Sequence, residues 1–221
     1  SVDVDDFGQI ACSLSPGDYS FVVVAHKAHG NEEDAADISA TDKATISTSK
    51  LLKTIAVNQS VTVIADQPNF VTIELGKRIS SQFILQLQDD QPEEVALCQI
   101  IMNPAGSETT EFVFNPSTGF AYDTYLFKNE FQRSKMDGNS FMNNQLGLHC
   151  FVTANPQYVD IQINMKDANG SVVKSRTLKN VPMAPHRVTR ATGNFFDSST
   201  RSTFLFDLED DPVYDITIQG E

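Results

Sequence analysis

Apolar and polar residues alternate with a period of two through much of this chain, the spacing expected where successive side chains point to opposite faces of a strand. Phe83, Leu85 and Leu87 fall on one face of such a strand and Ile84, Gln86 and Gln88 on the other, and residues 158–165 alternate in the same way. Residues 19–25, YSFVVVA, are apolar on both faces and predict a central strand covered on both sides. Shorter runs at 51–57, 61–65, 70–75, 95–102, 111–114, 120–127, 146–153, 171–178, 203–208 and 213–219 extend the series. At the start, Val2, Val4 and Phe7 alternate with acidic residues, and Ile10, Cys12 and Leu14 resume after Gly8, which predicts an opening hairpin. Helical periodicity is almost absent, with a short helical turn expected only at 34–39. Short strands at regular spacing predict an all-β chain built of β-sandwiches rather than an α/β fold.

The breaks between these runs carry turn chemistry. Ser15-Pro16-Gly17-Asp18 combines a preset φ with a residue that tolerates positive φ, and Asn58-Gln59, residues 66–69, 89–94, 103–106 and 115–119 read as further turns. Asp167-Ala168-Asn169-Gly170 predicts the best-defined hairpin, because Asn-Gly suits a tight primed turn. Residues 30–50 and 128–145 are polar and read as surface loops. In NVPMAPHRVTRATGNFF, residues 180–196, Pro182 and Pro185 remove backbone donors, so this connector is expected to run extended along a sheet edge. Val188, Thr189, Ala191 and Thr192 then favour a strand, and Phe195-Phe196 supplies an apolar anchor worth about 1.5–3 kcal/mol per buried ring. With 221 residues the chain can form two small domains, and Gly76-Lys77-Arg78 is the expected boundary, giving 1–78 and 79–221.

Charge narrows the chemistry. The net charge of −13 excludes nucleic acid as a partner, because phosphate binding needs clustered Lys and Arg, and it disfavours an anionic membrane surface. No apolar run approaches the roughly eighteen residues of a spanning helix. No basic and apolar leader precedes SVDVDDFGQ, so an export signal is expected to have been removed or never present. Cys12, Cys98 and Cys150 match no zinc spacing and allow at most one bridge; Cys98 and Cys150, set in apolar runs, read as small buried hydrophobes. Asp3, Asp5 and Gly8 resemble the opening of an EF-hand loop, but Phe7 and Leu14 occupy ligand positions. His26 and His29 with Glu32, Glu33 or Asp34 form a weak metal candidate on a polar loop. Asp89 with Glu93 could serve as acid and base, against a reading of both as solvated turn charge. The local signatures of the common enzyme classes are absent, which points to a non-catalytic chain with no cofactor. With no Trp and scattered Tyr, the sequence offers no aromatic platform for sugars or bases.

Three ordered segments resemble the Bacteroidetes-type fimbrillin superfamily: SPGDYSFVVVAH (15–26), VTIELGKRISSQFILQLQDDQPEEV (71–95) and residues 180–196. The chain has Leu75-Gly76-Lys77-Arg78 where the family often has Leu-Lys-Arg, and His186 where Asn is common. The resemblance implies two tandem transthyretin-like Greek-key β-sandwich domains in a structural or adhesive subunit of a fimbria. It implies a cell-surface, outer-membrane location, with the leader and a lipid-bearing Cys upstream of Ser1. The membrane is then reached only through that anchor, and the partners are other fimbrial subunits and a host protein or glycan. It further implies assembly by strand addition between subunits. Val213, Asp215, Thr217 and Gln219 alternate against Tyr214, Ile216 and Ile218, so this segment is the candidate assembly strand; an ordinary final strand paired in its own sheet is the alternative. The same architecture also admits a carbohydrate-binding surface module.

Overall fold

A computed structural model describes residues 11–26, 36–48, 51, 54–65, 69–74, 78–132, 146–197 and 204–210 of the protein. Among these residues the chain is all-β. The strands are β1 (Gly17–His26), β2 (Ala36–Ala40), β3 (Lys43–Ser47), β4 (Thr54–Val63), β5 (Ser81–Leu87), β6 (Leu97–Met102) and β7 (Ser107–Glu108). They continue as β8 (Glu111–Phe114), β9 (Tyr125–Gln132), β10 (Leu146–Cys150), β11 (Gln157–Lys166), β12 (Val172–Met183), β13 (Arg187–Gly193) and β14 (Leu205–Asp210).

The alternation at 158–165 and 83–87 builds the core. In β11, Val159, Ile161, Ile163 and Met165 point inward, and in β5 Phe83, Leu85 and Leu87 do so; all are buried in one cluster. A five-stranded sheet, in the order β12-β11-β6-β9-β7, therefore faces a four-stranded sheet, β10-β5-β13-β14, across a shared apolar interior. Most neighbours are antiparallel, but β13 runs parallel to β5, pairing Val188 with Gln82 and Ala191 with Leu85. The three-stranded sheet β2-β3-β8 adds Ala44, Ile46, Phe112 and Phe114 to the same cluster. There Phe114 stacks on Phe151 with centroids 4.1 Å apart, and Phe112 meets Phe127 edge-on at 5.4 Å. The β3–β8 pairing crosses residue 78, so residues 43–47 share a sheet and a core with residues 111–114.

The Asp-Ala-Asn-Gly hairpin forms, but without the expected primed turn: β11 pairs with β12, only Gly170 takes positive φ, at 83°, its N–H donates to the Asp167 carbonyl at 3.1 Å, and the Asp167 carboxylate accepts the N–H groups of Asn169 and Ser171. Pro182 lies in β12, the outer strand of its sheet, where a missing donor costs no ladder bond. Residues 188–192 form the body of β13, and Phe195 is fully buried.

Several expectations are corrected. Residues 11–15 carry no strand, and the rest of the expected opening hairpin lies outside the described residues. The stretch read as a polar loop from 30 to 50 contains the β2–β3 hairpin, in which small residues between polar ones, Ala44 among them, hid a buried face. The helical turn at 34–39 is replaced from Ala36 onward by β2. Asn58-Gln59 is no turn: β4 runs unbroken because it pairs with β1 at every position from Gly17 opposite Val63 to His26 opposite Thr54. Asn58 spends its amide laterally, accepting from Ser20 Oγ at 2.5 Å and donating to Ser117 Oγ at 3.0 Å. Residues 70–74 form no strand, and Phe70 is 94% exposed. The run at 120–127 splits into a bridge at Phe120–Ala121 and a strand that starts only at Tyr125 and takes in residues 128–132 of the expected loop.

Candidate assembly edges

The sites that could carry chemistry are mostly occupied by structure. Asp89, weighed as a catalytic acid, holds a backbone turn instead: Oδ1 accepts the N–H of Phe195 at 2.8 Å, and Oδ2 accepts those of Phe196 and of Asp197, the latter at 2.8 Å. Glu93 is exposed. Cys98 and Cys150 are fully buried free thiols, and burial pushes both up to about 12, so neither is a ready thiolate; Cys12 is free and exposed. His26 ends β1, while His29 and the acidic residues near it lie outside the described residues, as do Asp3, Asp5 and Gly8. No group of three or more His, Cys, Asp or Glu able to hold a metal occurs among the described residues.

His186 adopts φ of 64°, a left-handed conformation that Asn tolerates better than most side chains. Its Nδ1 lies against the carbonyl oxygen of Arg78, and Arg78 is 3% exposed, with Nη1 donating to Gln82 Oε1 at 2.7 Å. The segment read from sequence as a boundary thus ends in a buried arginine, tied to β4 by the bridge between Ile55 and Arg78 and by the Ile79 N–H donating to the Thr54 carbonyl at 2.8 Å.

The features left over are strand edges. β1 is 10 residues long and carries Phe21, Val22, Val23 and Val24, and among the described residues it pairs only with β4, with no ladder partner on its other edge. The faces expected to be covered on both sides are only partly so, with none of residues 19–25 fully buried, and whether β1 has a second neighbour lies outside the described residues. Val24 and Ala56 pack against the main core, and the remaining side chains of residues 19–25 are half-buried or exposed. In the two facing sheets, β12 and β14 are outer strands as well. The predicted assembly strand, Val213 to Gln219, lies outside the described residues, so no pairing is assigned to it.

No family model and no curated protein matches the chain. Three solved structures similar to it come from Bacteroides. Two are described as a "putative cell adhesion protein": one from Bacteroides ovatus (13% identity, TM-score 0.48, covering 90% of this chain and 69% of that one) and one from Bacteroides fragilis (14%, 0.35, 95% and 71%). A third is described as a fimbrial protein from Bacteroides vulgatus (10%, 0.29, 76% and 67%).

Proposed function

We propose that this chain is a non-catalytic structural or adhesive subunit of a bacterial cell-surface fimbria, joined to other subunits by strand addition. The observation that carries this reading is β1: a long apolar strand with one unpaired edge among the described residues is a template for a further strand. The ordered resemblance of residues 15–26, 71–95 and 180–196 to fimbrillins supports it. In this reading Val213 to Gln219 of a neighbouring copy supplies the strand, main-chain hydrogen bonds give the affinity, and Tyr214, Ile216 and Ile218 fill alternate pockets. Attachment to the outer membrane through an upstream lipid, and the transthyretin-like Greek-key division into 1–78 and 79–221, belong to the same reading. Electron microscopy of cells with labelled antibody tests it: filament, base or tip labelling is expected, and labelling that never reaches a surface appendage would sink it. Deleting residues 215–221 is expected to abolish assembly while leaving the subunit folded.

A further inference from the structure

The Asn169-Gly170 pair that turns the β11–β12 hairpin sets a carboxamide directly before a backbone nitrogen that no side chain shields. Asn169 is the only asparagine in the chain followed by glycine, and three others, Asn103, Asn115 and Asn155, precede prolines, whose nitrogen has no proton to give up. Elsewhere the fold holds its carboxamides in place. Asn164 Oδ1 accepts from Ser175 Oγ at 2.7 Å while its Nδ2 donates to Gln99 Oε1 at 3.1 Å, and Asn69 bonds both the N–H and the carbonyl of Ile64 at 3.1 Å. The Asn169 carboxamide has no such partner among the described residues. Asn169 and Gly170 are both exposed, and a Cβ at Gly170 would meet no heavy atom within 4 Å. What restrains the pair comes from Asp167. Its carbonyl accepts the Gly170 N–H at 3.1 Å, and its carboxylate accepts the N–H groups of Asn169 at 2.9 Å and Ser171 at 2.8 Å.

We infer that Asn169 is a self-modification site whose rate is set by Asp167. The Gly170 backbone nitrogen attacks Asn169 Cγ, a C–N bond forms and closes a succinimide ring, the Cγ–Nδ2 bond breaks, and the proton lost by the nitrogen leaves with Nδ2 as ammonia. Water then adds to either imide carbonyl and opens the ring to aspartate or isoaspartate, with no oxidant or reductant required. Asp167 acts as a positioning residue, because its bonds to this loop must open before the Gly170 nitrogen can turn toward Cγ. Either product adds a negative charge beside Asp167 on a chain already at −13. Isoaspartate also lengthens the main chain by a methylene carbon next to the point where the β11–β12 register shifts, between Met165 and Lys166, so the start of β12 loosens. The site involves neither β1 nor residues 213–219 and does not depend on assembly through them.

The test incubates the folded, purified chain at about pH 8.5 and about 37 °C beside a synthetic peptide of residues 167–174, with isoaspartate at position 169 read by mass spectrometry. The folded chain is expected to accumulate it over weeks, more slowly than the free peptide. Asp167→Ala is expected to speed the folded chain about tenfold, the factor that losing one charge-assisted hydrogen bond corresponds to. Gly170→Ala, which puts a methyl group beside the attacking nitrogen, is expected to suppress the reaction. The modified fraction should also show faster amide exchange at residues 171–174. Unchanged exchange at residues 81–87 reports that Asp167→Ala still folds, and Asp167→Asn, which keeps one acceptor, supplies the same comparison if it does not. The proposal is overturned if Asn169 stays intact in the folded chain over the weeks in which the peptide converts, or if loss of the Asp167 carboxylate leaves the rate unchanged.

Discussion

Asp89 and Phe195, 106 residues apart in sequence, are joined by a hydrogen bond of 2.8 Å from the Phe195 N–H to Asp89 Oδ1, and the other carboxylate oxygen takes the next two N–H groups. One side chain from the end of β5 thereby closes the turn after β13, beside the parallel pairing of those two strands. Asp89→Ala would leave three donors without their acceptor, and since charge-assisted bonds contribute about 1.5–3 kcal/mol, a loss of about 2–3 kcal/mol is expected in urea denaturation. Asp89→Asn, which keeps one acceptor, should lose less.

Gly119 takes φ of 74°, and a Cβ there would sit 2.9 Å from the carbonyl oxygen of Ile79. Gly119→Ala meets both a left-handed backbone and a neighbouring main chain, so destabilisation of about 1–3 kcal/mol is expected by thermal or chemical melting. Gly170→Ala, at φ of 83° but with open space around it, should cost less.

Arg190 grips Glu209 through Nε to Oε1 at 2.9 Å and Nη2 to Oε2 at 3.2 Å, tying β13 to β14. This hydrogen bonding holds the Glu209 carboxyl below its ordinary value of 4.5 in the folded chain. The stabilisation is therefore complete above that unfolded value and is lost as pH falls through the lower folded one. The pair is partly exposed, so it contributes under about 1 kcal/mol and less in salt. Amide exchange at 205–210 should accelerate below about pH 4, once corrected for intrinsic rates. Glu209→Gln should exchange faster already at neutral pH and show a flatter acid response.

The three cysteines should separate by accessibility. With Cys98 and Cys150 fully buried and pushed up to about 12, a maleimide at pH 7 is expected to modify Cys12 alone in the native chain and all three in denaturant. Native modification of Cys98 or Cys150, read by mass spectrometry, would contradict the packed interior.

What was legible in the sequence follows how strongly each strand shows its own burial. β5, β11 and the Asn-Gly hairpin were readable because large apolar residues alternate there and the turn chemistry is local. β2 and β3 were not: Lys43, Thr45 and Ser47 set beside Ala44 look like a loop, and only the partner β8, far along the chain, reveals Ala44 and Ile46 as core. The unbroken β4 was hidden because Asn58-Gln59 favours a turn locally, while ten cross-strand pairs with β1 decide the outcome. The same limit applies to the edges. Sequence showed that β1 is apolar, but which side of a strand stays unpaired depends on distant segments. Nothing in the sequence marks Lys174 and Arg176 of β12, and only the register opposite Met165 and Ile163 puts them on the core-facing side of that strand.

In the proposed assembly, the edge of β1 that has no partner among the described residues accepts Val213 to Gln219 of a neighbouring copy. Co-expression on cells of Ser20→Cys in one copy and Thr217→Cys in another, both in a Cys12→Ser background, tests it most directly, with disulfide formation read under mild oxidation. A cross-linked dimer is expected only when both variants are present, and Ile216→Asp with Ile218→Asp in the Thr217→Cys copy is expected to abolish it. Surface-assembled subunits that form no such cross-link, or that assemble equally well without residues 215–221, would contradict it.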